Sequence, residues 1–167
     1  NPFTYVALSN EEKQTVEKEY EAAYCNANVK LSKEELLKNI RAVQTRNNIK
    51  YSSELAAGLG AVSLDVEMET GTGKTYVYIK TMFVLHKSYG WSKFIVVVPS
   101  IAIREGVKKS FEMLEGHFME LYGLKARYFV YNSGNLHQLD EFSQNSGICV
   151  MIINTQAFNT TMNEDKN

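Results

Sequence analysis

From about residue 61 onward the chain alternates short apolar runs with stretches of helical periodicity, and no other feature restricts its fold so far. The runs are Leu64-Asp65-Val66-Glu67-Met68, Phe94-Ile95-Val96-Val97-Val98, Tyr128-Phe129-Val130-Tyr131 and Ile148-Cys149-Val150-Met151-Ile152-Ile153. Between them the pattern predicts helices from Lys74, from Ser100 and over about 136–144, the second with one long stripe of Ile103, Val107, Phe111, Leu114, Phe118 and Leu121. Strand–helix alternation of this kind builds βαβ units, with a parallel sheet covered by helices. The expected fold class is therefore α/β. Pro99 follows an apolar run directly, where it ends a strand without removing a ladder bond inside it. One run fits less neatly. Asp65, Glu67 and Glu69 alternate through the first strand, so either one of its faces is poorly covered or these carboxylates meet basic partners.

Residues 1–60 read differently. Ser9 and Glu12 have capping-box spacing before a polar stretch that runs to about Asn26, which predicts an exposed helix. Ser32 and Glu35 repeat the signature ahead of Leu36, Ile40 and Val43, one apolar helical face. The expected organisation is a helical N-terminal segment over 1–60 and an α/β domain over 61–167. With 167 residues, 44% hydrophobic and 22% charged, the composition is that of a globular domain and excludes collagen-like, coiled-coil and wholly disordered chains. Eighteen Lys and Arg against nineteen Asp and Glu give a net charge of -1, which argues neither for nucleic acid nor for an anionic membrane but leaves room for a local basic groove. Cys25 and Cys149 sit in no C-x-x-C or Cys/His cluster and read as small packed residues. No stretch approaches the roughly 20 apolar residues of a membrane span, and 1–8 lack the basic start of a signal peptide. The expectation is a soluble, cytoplasmic protein with no membrane partner.

Thr70-Gly71-Thr72-Gly73-Lys74-Thr75 lies between the first apolar run and the helix that follows. A phosphate-binding loop needs that placement. Glycines let the backbone wrap closely around an anion and turn its N–H groups inward, and a helix N-terminus adds aligned donors and a positive dipole end. Lys74 would reach the β- and γ-phosphates and is the candidate catalytic group, while the Thr75 hydroxyl would ligate Mg²⁺. A Gly-x-Gly-Lys-Ser/Thr string arises by chance on the order of once in 200 chains of this length, and its flanking strand and helix make chance rarer. The strict eight-residue pattern fails, because Met68 stands at its first glycine. Hydrolysis also needs an acidic residue at another strand end, and no apolar run here ends in an acidic pair. Asp140-Glu141 reads as a solvated helix face, Glu164 and Asp165 lie in a polar tail, and His86, His117 and His137 are isolated residues with surface or packing roles.

Longer strings around these residues resemble a known family. Val66-Glu67-Met68-Glu69-Thr70-Gly71-Thr72-Gly73-Lys74-Thr75-Tyr76-Val77 is similar to motif I of superfamily 2 helicase-type motors and, more narrowly, to the Res (restriction) subunit of type III restriction–modification enzymes. The segment 95–107, with Val98-Pro99-Ser100-Ile101-Ala102-Ile103-Arg104, resembles that family's motif Ia, a strand–Pro–helix element. Met151-Ile152-Ile153-Asn154-Thr155-Gln156-Ala157-Phe158-Asn159 resembles the strand and turn before its acidic motif.

The resemblance implies a P-loop NTPase fold of the RecA-like kind, a three-layer sandwich around a parallel sheet, present here as a partial first ATP-binding domain over 61–167. It implies ATP and Mg as cofactors, an ATP-driven translocase and endonuclease acting on double-stranded DNA, and a modification (methyltransferase) subunit as partner. Carried over by position, Thr70, Gly71, Thr72, Gly73, Lys74 and Thr75 would bind ATP, with Thr75 on the metal. Pro99, Ser100, Arg104, Thr155 and Gln156 would lie along the DNA backbone. Helix starts and hydroxyls suit phosphate contacts, which position a protein without specifying sequence; Ser100 equally reads as a helix N-cap, and the roles are compatible. Gln44 is a candidate reader of adenine, or an exposed helix residue.

The family's acidic metal motif, its coupling and arginine-finger motifs, its second motor domain and its nuclease site have no counterparts in 1–167. With Asn1 in place of a start Met, this predicts the N-terminal portion of a longer Res subunit, cut one strand before the acidic motif. It also predicts that 1–167 alone binds nucleotide weakly and hydrolyses it negligibly. Two other readings stay open. Another P-loop NTPase, such as a small-molecule kinase, would place an acceptor site and a lid after the sheet, which the 95–107 match argues against. A non-catalytic nucleotide-binding module would keep the loop and lack the acid.

Overall fold

The structure, a computed structural model, describes residues 26, 28–56, 63–132, 134 and 137–155. They form two compact units, Asn28–Thr72 and the described residues from Gly73 onward together with Asn26. The helix expected over 9–26 lies outside the described residues except for Asn26, as does Cys25.

In the first unit, α1 spans Lys33–Arg46 and starts on the expected capping box. The Ser32 hydroxyl accepts from the Glu35 N–H at 3.2 Å, and the Glu35 carboxylate accepts from the Ser32 N–H at 2.9 Å. That reciprocal pair satisfies two of the donors a helix start leaves open, and it holds the Glu35 carboxyl below the usual carboxylate range. The apolar face of α1 stays shallow: no residue of the helix is buried. The expected strand at 64–68 is also missing, since 63–69 has no regular structure. A strand exists only through ladder bonds to a neighbour and cover on its faces. Here no described strand pairs with it, Leu64 and Val66 are 60% and 74% exposed, and the alternating carboxylates give its other face nothing to bury.

The second unit carries the α/β alternation: α2 (Lys74–Tyr89), β1 (Lys93–Val98), α3 (Ile101–Tyr122), β2 (Arg127–Val130), α4 (His137–Gln144) and β3 (Cys149–Asn154). All strand pairs are parallel and the order is β1-β3-β2, so the last strand inserts between the first two. Each helix start is as the spacing predicts, Pro99 ends β1 as expected, and α2 and α3 stop at Gly90 and Gly123.

The register lines up Phe94, Val150 and Tyr128, and then Val96, Ile152 and Val130, across one face of the sheet. That face packs on Val107, Phe111 and Phe118 of α3, backed by Ile79, Met82 and Phe83 of α2. Fully buried side chains such as Phe118, Ile79 and Val150 each contribute roughly 1.5–3 kcal/mol. Of the predicted stripe on α3, the middle is buried but Ile103 and Leu121 at its ends are exposed, because α3 is longer than the three strands it covers. On the opposite face, α4 sets Phe142 edge-on to Phe129, and the Lys93 ammonium lies over the Phe142 ring and donates to the Asn145 carbonyl. Helices therefore lie on both faces of a parallel sheet, a three-layer α/β arrangement. Asp140 and Glu141 are exposed on α4, as expected.

Asn26 fastens the start of β1. Its Oδ1 accepts from the Ser92 and Lys93 N–H groups, each at 2.9 Å, and its Nδ2 donates to the Lys93 carbonyl at 2.6 Å. One side-chain amide thus serves backbone groups that a neighbouring strand would otherwise serve.

Candidate phosphate-binding loop and strand-end face

The loop 70–75 crosses the point in the chain where the two units divide, and each half has its own geometry. In the Asn28–Thr72 unit, Thr72 turns back on Glu69: its N–H and its hydroxyl both donate to the Glu69 carbonyl, at 3.4 and 2.6 Å. Gly71 takes φ +83°, and a Cβ there would meet nothing within 4 Å. In the second unit Gly73 takes φ +88° and is the N-cap of α2, again with open space around it. Positive φ at both positions is left-handed backbone that side-chain-bearing residues avoid, so the two glycines answer to conformation and not to crowding.

The start of α2 suits an anion. Gly73 brings no side-chain cap, no acidic residue stands in the first turn, and Lys74 opens the helix. A cation at the positive end of the macrodipole works against helix stability, and a bound anion reverses that sign. Thr75 follows, half-buried, with a hydroxyl oxygen, a donor of the kind Mg²⁺ takes. Open glycine backbone, helix N-terminus, lysine and hydroxyl together form a donor set that fits a nucleotide phosphate with its metal. Among the described residues no three His, Cys, Asp or Glu side chains gather into a metal site of their own.

The first turn of α2 is braced from α3. The Tyr76 hydroxyl pairs with His117 Nε2 of α3 at 3.0 Å, and the Tyr76 ring stacks on Phe118 with centroids 5.5 Å apart. His117, exposed on α3, thus has a packing role, as expected. The pairing spans 41 positions in the chain, and no local pattern announces it. His86 has a packing role as expected, its Nδ1 lying 2.9 Å from the Trp91 carbonyl oxygen. The Tyr78 hydroxyl is buried without a well-formed hydrogen bond. Burial pushes its pKa up, and the Thr75 side chain one turn earlier opposes that shift.

A second group of candidates sits at the C-terminal ends of β1 and β3. Val98 pairs with Asn154 on the final rung of that ladder, so Pro99-Ser100 and Thr155 leave the sheet at the same level. Ser100 is the N-cap of α3, its hydroxyl accepting from the Ile103 N–H at 3.3 Å. Arg104 lies one turn into α3 and donates through Nε and Nη2 to the Glu105 carboxylate, at 3.1 and 2.9 Å. Such an exposed pair is worth little in itself, and a phosphate could replace the carboxylate. Gln156 lies outside the described residues.

Gln44, on α1, turns out to hold a loop. Its Oε1 accepts from the Ser52 N–H at 3.0 Å and its Nε2 donates to the Ser52 hydroxyl at 2.9 Å. Arg41 adds two bonds at 2.9 Å, to the carbonyls of Ser52 and Ser53. Half-buried and doubly bonded, Gln44 is more than an exposed helix position.

Residues 34–167 match the family model described as "Type III restriction enzyme, res subunit". Among curated relatives, the Res subunit of the type III restriction-modification enzyme EcoP15I from Escherichia coli is 41% identical over 110 residues, which cover 65% of this chain and 11% of that protein. The EcoPI Res subunit from Escherichia phage P1 is 38% identical over 110 residues, with the same two shares of 65% and 11%. The chain thus spans about a tenth of the length of these relatives. No helix among the described residues is long and apolar enough to cross a membrane.

Proposed function

The chain belongs to the family of type III restriction enzyme Res subunits, and from that premise we propose that residues 70–75 bind the phosphates of ATP. One observation carries the proposal: Lys74 opens α2 at its positive end, directly after left-handed Gly73 and with no carboxylate in the first turn. In this reading the loop backbone and the start of α2 donate to the β- and γ-phosphate oxygens, and Lys74 neutralises charge on them. Thr75 would hold Mg²⁺, which when bound offsets the charge that develops on the transferring phosphoryl group. Gln44 is proposed to contact adenine, its amide orientation being set by Ser52.

Residues 61–167 are proposed to belong to a first RecA-like ATP-binding domain, preceded by the helical segment 1–60. The activity proposed for the whole protein is ATP-driven movement along double-stranded DNA coupled to cleavage, in company with a modification subunit. Pro99, Ser100, Arg104, Thr155 and Gln156 would face the DNA backbone. What supports this is the place of Pro99, Ser100 and Thr155 just past the carboxyl ends of parallel strands, where ligands of open α/β sheets collect.

Competition of unlabelled ATP, ADP and AMP against a fluorescent ATP analogue tests the phosphate assignment. ATP and ADP should displace the analogue far better than AMP, because the loop grips the phosphates beyond the first. Equal displacement by all three would place the binding energy elsewhere.

A further inference from the structure

The first turn of α2 carries Lys74 and Thr75, and it must be held still if the loop is to meet a phosphate without rearranging. Gly73 supplies no side-chain cap, and the buried residues of α2, Ile79, Met82 and Phe83, all come a turn or more later. Tyr76 ties this first turn to α3. Its hydroxyl lies 3.0 Å from His117 Nε2, its ring stacks on Phe118, and the His117 ring stands 5.6 Å from it. Phe118 is itself locked, 2% exposed and stacked on Phe83 at 4.7 Å.

These contacts divide into two kinds. The stacking of Tyr76, Phe118 and Phe83 attaches α2 to α3, and a phenylalanine at position 76 would preserve it. The hydroxyl–imidazole bond adds direction. It fixes how far the first turn is rotated about the α2 axis, because a hydrogen bond weakens steeply with misalignment where a ring contact does not. Tyr76 directly follows Thr75, so a rotation there swings the Lys74 side chain and the first-turn N–H groups together. Electrostatic recognition of an anion depends on donors already aimed at it.

We propose that Tyr76 and His117 are positioning residues for the phosphate loop: their hydrogen bond holds the first turn of α2 in the orientation that presents Lys74 and Thr75 to the nucleotide. The inference rests on the nucleotide reading above and adds to it a contact on α3, outside the loop.

The test uses the 1–167 chain with Tyr76→Phe, His117→Phe, the double variant and His117→Gln. Each is titrated with MgATP, and its thermal unfolding is followed without nucleotide. The two single variants should bind ATP three- to tenfold more weakly, and the double variant no more weakly than either single one, since all three lack the same bond. His117→Gln, whose amide can still meet the Tyr76 hydroxyl, should recover most of the affinity. Single variants that bind ATP like the wild type, or that lose thermal stability with affinity unchanged, would overturn the positioning role and leave the nucleotide reading standing. A wild-type chain that does not bind ATP would overturn both.

Discussion

Val98 and Asn154 stand opposite each other on the last rung of the β1–β3 ladder. That pairing delivers Ser100, with Arg104 one helical turn beyond, and Thr155 to one end of the sheet, although 56 positions separate the two chain exits. If this end faces a DNA backbone, Arg104→Ala should weaken binding to unrelated duplexes by similar factors and reduce the salt slope of binding by about 1. Anisotropy titrations with two duplexes over a range of salt concentrations measure both quantities. A loss confined to one sequence, or an unchanged slope, would contradict a phosphate-contact role.

Asn26 replaces a strand neighbour at the start of β1, with three bonds through one amide. Asn26→Ala leaves partly buried backbone donors and an acceptor without partners, and the expected cost is about 1–3 kcal/mol. Urea unfolding should show this as a lower midpoint at an unchanged slope. A variant as stable as the wild type would mean that water serves those groups equally well.

Cys149 opens the central strand and is buried. Burial raises its thiol pKa, Lys93 and Arg127 oppose the rise, and Glu141 adds to it. A raised folded-state value makes the associated stabilisation complete below the thiol pKa of the unfolded chain and lost as pH rises through the folded value. Stability should therefore fall on the alkaline side, beginning near the ordinary thiol value of about 8.5. Burial lowers the Lys93 pKa, which works in the opposite sense, so the informative quantity is the difference between wild type and Cys149→Ala. The variant should show the shallower alkaline decline, whatever constant offset its lost side-chain volume brings. Parallel pH profiles for the two proteins would remove the thiol from the explanation.

Much of this arrangement is legible in the sequence, for identifiable reasons. The runs at 94–98, 128–131 and 148–153 become strands because each is apolar on both faces and bounded by breakers, and Ser32, Glu35 and Ser100 act as caps through bonds only three residues long. The loop is legible because glycine, lysine and threonine are adjacent in the chain. The run at 64–68 misleads, since its Leu, Val and Met match a strand template while Asp65 and Glu67 deny it cover on one face. Contacts between distant positions leave no periodic trace. Asn26 meets Lys93 across 67 positions, and Tyr76 meets His117 across 41. Nor does the sequence show that β3 inserts between β1 and β2, because strand order depends on which faces the helices have already covered.

The central claim is that the start of α2 grips phosphate through Lys74. The most direct measurement is a calorimetric titration of MgATP into the 1–167 chain and into its Lys74→Ala variant, with both confirmed folded by circular dichroism. A charge-assisted bond to phosphate contributes about 1.5–3 kcal/mol, so the variant should bind at least about tenfold more weakly. Equal affinity of a folded Lys74→Ala protein would contradict the account.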